Sequence, residues 1–73
     1  MPKLPVLSGA DVVRALQQLG YIVDRQRGSH VVLKRRAATC VVPLHAELKR
    51  GTLAAILRQA DVTVDQLLTV TRQ

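Results

Sequence analysis

Apolar residues change period along the chain, and each change marks an element. Between Ser8 and Gly20, the residues Val12, Val13, Leu16 and Leu19 recur at helical spacing, with Arg14, Gln17 and Gln18 on the opposite side. Ser8 is a good N-cap, Asp11 lies three residues later in the first turn, and Gly20 stops the pattern. The spacing therefore predicts one amphipathic helix. Three short runs rich in strand formers follow: Tyr21-Ile22-Val23-Asp24-Arg25, His30-Val31-Val32-Leu33-Lys34 and Thr39-Cys40-Val41-Val42. The links between them are only a few residues long, which forces antiparallel neighbours and gives a three-stranded meander. Pro43 ends the third run by removing a ladder donor. Beyond the polar stretch His45 to Arg50, Gly51-Thr52 reads as a turn and N-cap for Leu53, Ile56, Leu57 and Ala60. Asp61 breaks that helix. Thr63 with Gln66 forms a second capping-box signature, ahead of a short terminal helical turn or two carried by Val64, Leu67 and Leu68.

The order is α-β-β-β-α with a C-terminal extra turn: an α+β fold whose helices cover one face of a three-stranded antiparallel sheet. Residues 1–73 read as a single domain without repeat or linker, opening on an extended arm, Met1-Pro2-Lys3-Leu4-Pro5. That arm lacks the apolar core of a secretory signal, and no stretch approaches the roughly 20 apolar residues a membrane span needs. One cysteine, Cys40, rules out an internal disulfide and offers no metal-ligand cluster, which favours a reducing, cytoplasmic setting.

Parity decides what the uncovered face carries. Val31 and Leu33 share one face of the second strand, and His30, Val32 and Lys34 share the other. With the apolar pair turned to the helices, His30 and Lys34 stand on the open face, and Arg25, Arg27, Arg35 and Arg36 lie near its edges. A slip of one residue would bury His30 instead. Eleven Lys and Arg against five Asp and Glu give a formal charge of +6, which suits an acidic partner, whether nucleic acid or protein.

A histidine at the start of a strand, fed by a glycine and surrounded by cations, suggests chemistry on a phosphate-bearing substrate. Imidazole exchanges a proton near neutral pH, so His30 is the candidate catalytic group. Arg27, Gly28, Ser29, Lys34, Arg35 and Arg36 are the candidate phosphate contacts, through cations, backbone amides and one hydroxyl. His45, Lys49 and Arg50 are auxiliary candidates. No metal or other cofactor is expected. With Tyr21 the only aromatic residue, stacking on bases is scarcely available. Binding should therefore rest on phosphates, fall steeply with salt and read little sequence. Blander assignments stand beside these: His30 as a simple surface residue, Gly28 as a turn former, Cys40 as a small strand residue, and Lys49, Arg50 and Arg58 as solvated charges. A non-catalytic RNA-binding module and a protein-interaction domain for an acidic partner are the alternatives to an enzyme. Neither helix shows a helix-turn-helix arrangement, so sequence-specific DNA binding is not expected.

Five segments in series also carry a family resemblance: Leu7-Ser8-Gly9, Leu19-Gly20-Tyr21, Arg27-Gly28-Ser29-His30, Val42-Pro43-Leu44-His45, and Lys49-Arg50-Gly51-Thr52-Leu53 running on to Ile56-Leu57-Arg58-Gln59-Ala60. Together they resemble HicA-type toxins, the YcfA-like family, over nearly the whole chain. The resemblance implies a double-stranded-RNA-binding-domain-like fold and mRNA cleavage by a histidine at the Gly-Ser-His position, here His30. It also implies inhibition by a HicB-type antitoxin. The chain departs from the family pattern between the second and third strands, where Lys34-Arg35-Arg36-Ala37-Ala38-Thr39 contains no turn former, so the sequence does not fix that hairpin tip.

Overall fold

A computed structural model describes residues 4–71. Of the extended arm expected at residues 1–5, the first three lie outside the described residues. The elements are α1 (Gly9–Gln18), β1 (Ile22–Arg27), β2 (His30–Arg35), β3 (Ala38–Pro43), α2 (Arg50–Ala60) and α3 (Val64–Thr71). The strands form one antiparallel sheet in the order β1-β2-β3. The expected α-β-β-β-α order is present, and the terminal turns form the helix α3.

Local chemistry sets both ends of α1. The Ser8 hydroxyl accepts the Asp11 N–H at 3.0 Å, and the Asp11 carboxylate accepts the Ser8 N–H at 3.1 Å, which completes the capping box. The Ser8 hydrogen bonds, backbone first, hold the Asp11 carboxyl below its ordinary pKa. At the other end the Tyr21 N–H reaches back to the Leu16 carbonyl and the Gly20 N–H to that of Gln17. This Schellman closure needs a left-handed residue, and Gly20 provides it at φ +99°. α2 closes in the same way: Val62 donates to Leu57 and Asp61 to Arg58, but the left-handed position is held by Asp61 at φ +55°. The capping box of Thr63 and Gln66 is formed, with bonds of 2.8 and 3.1 Å.

The start of α2 corrects the sequence expectation. The helix begins at Arg50 with Lys49 as its N-cap, three residues before the expected cap Thr52, and no side chain caps it. Tertiary anchoring outweighs the local preference of Thr52. Leu48 is buried and donates its N–H to the Leu7 carbonyl at 2.8 Å, which fixes the chain just ahead of the helix.

The core lies between the sheet and the helices. Val31 and Leu33 of β2 and Cys40 and Val42 of β3 meet Val12, Ala15 and Leu16 of α1, with Leu53, Ile56, Leu57 and Ala60 of α2 and Leu67 of α3. Tyr21 precedes β1 rather than opening it. Its ring is buried and its hydroxyl donates to the Ala60 carbonyl at 2.6 Å, tying the end of α1 to the end of α2. β1 projects past the helix layer, and all six of its residues are exposed.

Candidate active site on the open face of the sheet

The register places three cross-strand rows on the open face: Arg27, His30 and Pro43; then Arg25, Val32 and Val41; then Ile22, Lys34 and Thr39. Residues directly opposite one another share a face, with Cβ atoms roughly 4.5–5.5 Å apart. The alternate rows, which contain Val31, Leu33, Cys40 and Val42, are the buried ones. His30 and Lys34 therefore stand in solvent on the face opposite the helices, as the parity argument expects. Val32 lies among them under neighbouring side chains and outside the core cluster.

The hairpin between β1 and β2 positions His30. Gly28-Ser29 is a two-residue loop with positive φ at Gly28 (+60°) and not at Ser29, the pattern of a type II′ turn. Arg27 and His30 are the pair that closes it. Pro43, opposite His30, has no N–H, so the ladder continues through the Leu44 N–H, which donates to the Ser29 carbonyl at 2.6 Å. Arg27, Gly28, Ser29 and His30 are all exposed, and the histidine is held from both sides by strand pairing.

The structure does not bring every candidate to this face. Arg35 lies on the helix side, opposite Ala38. Its Nη1 donates to the Leu19 carbonyl at 2.7 Å, and its guanidinium lies 4.7 Å from the centre of the Tyr21 ring. This arginine is a structural clasp between β2 and the end of α1. Arg36 is exposed at the far hairpin tip. With Ala37 it forms the loop that the sequence left undetermined, and it takes φ +54° without being glycine. Arg25, absent from the candidate contacts, also stands on the open face, on the edge strand β1.

Among the auxiliary candidates, His45 is exposed two residues beyond Pro43, and its backbone carbonyl accepts the Gly9 N–H at 2.9 Å. Lys49 and Arg50 are exposed at the uncapped N-terminus of α2, where the helix dipole disfavours cations. Tyr21, the only aromatic residue, is in the core and leaves no ring on this surface for a base to stack on.

Fold and site thus define a small α+β protein whose open sheet face carries one histidine among arginines and a lysine. The family model described as HicA toxin of bacterial toxin-antitoxin matches residues 9–62, and the chain belongs to that family. Its place is that of the toxin in a toxin-antitoxin system, which implies an antitoxin as partner. The match begins at the first residue of α1 and ends just past α2, so it covers the whole sheet. No curated protein matches the chain.

Proposed function

We propose that this toxin is a metal-independent endoribonuclease that cleaves mRNA in the cytoplasm with His30 as its catalytic histidine, and that a HicB-type antitoxin inhibits it by covering the same face. The observation that carries this reading is the position of His30: exposed on the uncovered side of the sheet, in one row with Arg27 and directly after Gly28-Ser29.

In the proposed reaction a ribose 2′-hydroxyl attacks the adjacent phosphorus as the bond to the 5′-oxygen breaks. The products are a 2′,3′-cyclic phosphate and a 5′-hydroxyl. His30 either takes the proton from the attacking hydroxyl or gives one to the leaving oxygen, a contribution of roughly 10²–10⁴-fold for a positioned acid or base. Arg27 offsets charge on the phosphoryl oxygens, with the Gly28 and Ser29 amides and the Ser29 hydroxyl beside it, while Lys34, about 13 Å further along β2, holds a flanking phosphate. Arg36, Lys49 and Arg50 hold flanking phosphates, and His45 is the candidate for the second proton transfer. With no exposed aromatic ring, affinity rests on the backbone and sequence preference is weak. An acidic antitoxin surface would compete with RNA for the same cations.

The test is cleavage of a labelled mRNA by the purified protein in EDTA, beside His30→Ala, with circular dichroism showing both folded. Cleavage by the wild type alone supports the assignment. Cleavage by both removes His30 from the mechanism, and cleavage by neither favours a non-catalytic RNA-binding module.

A further inference from the structure

Strand β1 does not alternate. Ile22 pairs with Lys34 and Val23 with Leu33, but the next pair is Arg25 with Val32, so Asp24 is an extra residue in the strand. Such a bulge shifts every later side chain to the other face. Strict alternation from Ile22 would turn Arg25 and Arg27 toward the helix side with Val23. The added residue instead delivers both arginines to the face of His30.

The carboxylate of Asp24 lies among these cations. It accepts from Arg25 Nη1 at 2.9 Å and stands 3.8 Å from Lys34 Nζ. Among the described residues neither cation has another acidic partner. One anionic group bridging two exposed cations on the open face occupies the place a phosphodiester would take. Carboxylate and phosphodiester each carry one negative charge, so exchanging one for the other conserves the pairing. Arg25 and Arg27 lie two residues apart on the same strand, about 6.6 Å, so a nucleic-acid backbone crossing the hairpin passes both.

We propose that Arg25 and Lys34 form a second phosphate subsite, occupied in the free protein by the Asp24 carboxylate, which the RNA backbone displaces on binding. This rests on the reading of the open face as an RNA site. Asp24 acts through the two cations and is a positioning residue, setting how much of the face's charge is free for RNA.

The experiment measures binding of the full chain to a 2′-O-methyl RNA oligonucleotide, which cannot be cleaved, by fluorescence anisotropy over a range of salt concentrations. Asp24→Asn should bind roughly two- to fivefold tighter at low salt, as expected for release of an exposed ion pair, and its salt slope should steepen. Arg25→Gln should bind more weakly, with the slope shallower by about one. Asp65→Asn changes net charge equally but lies on α3 and should match the wild type. Wild-type binding with Asp24→Asn unchanged or weaker overturns the subsite alone, as does an equal gain in Asp65→Asn. If the wild type binds no RNA, the reading of the face as an RNA site fails.

Discussion

Gly9 and Pro43 approach so closely that a β-carbon on Gly9 would lie 2.0 Å from the Pro43 carbonyl oxygen and 2.8 Å from the Leu44 α-carbon. Both obstacles are backbone, so neither can swing aside. The contact docks the first turn of α1 on the end of β3, directly behind the Pro43 that pairs with His30. Gly9→Ala must push the helix off the strand, at a cost of about 2–4 kcal/mol. For a domain of this size that lowers Tm by roughly 8–30 °C, measurable by thermal unfolding. A Tm within a few degrees of wild type would mean that α1 does not seat on Pro43.

Lys34 and Arg35 are adjacent in sequence and opposite in task. Arg35→Gln loses the bond to the Leu19 carbonyl and the packing on Tyr21, and should cost about 1–2 kcal/mol. It should leave the salt dependence of RNA binding unchanged. Lys34→Gln should change stability by no more than about 0.5 kcal/mol while reducing the salt slope by about one. Urea unfolding and RNA titrations on the two variants test the pair. A flattened salt slope in Arg35→Gln would return that arginine to the binding face.

The sequence pointed to His30 because Val31 and Leu33 form the more apolar of the two alternating sets in β2, against His30, Val32 and Lys34, and that set turns to the helices. It showed the capping boxes of Ser8 and Thr63 because each is local. It did not show the bulge, since one added residue changes parity without changing composition, although an aspartate between strand formers is the one signal available. Nor did it show the start of α2, which depends on Leu48 being anchored by Leu7 across the fold. The role of Arg35 was also hidden, because its partner carbonyl lies sixteen positions away.

Arg36 and Asp61 are the two non-glycine residues with positive φ among those described. Strand pairing on both sides holds the first, and the α2 Schellman closure holds the second. Each pays a steric penalty that glycine avoids, so Arg36→Gly and Asp61→Gly should each raise stability by about 0.5–1 kcal/mol. Their effects on RNA should differ. Loss of the Arg36 charge should weaken binding and flatten its salt dependence, whereas Asp61 lies at the end of α2 and should not flatten it. Unfolding curves with parallel RNA titrations check both, and an Arg36→Gly variant less stable than wild type would contradict the strain argument.

Burial pushes the Cys40 thiol up from 9.0 to about 11. The Tyr21 hydroxyl is also raised, by burial first and by the neighbouring Cys40 charge second. The folded protein therefore keeps protons that the unfolded chain has already lost. Between the unfolded and folded values unfolding releases a proton, so stability is full below about pH 9 and falls as pH rises toward about 11. Cys40→Ala removes the larger of these contributions and leaves a small cavity behind Leu33. It should be less stable than wild type at about pH 8, by about 1 kcal/mol, yet lose less stability between there and about pH 10.5. Urea unfolding at the two pH values measures both effects. Equal losses in the two proteins would show that Cys40 does not carry the alkaline limit, and the burden would pass to Tyr21, whose replacement by phenylalanine removes the ionisable group and its bond to Ala60 together.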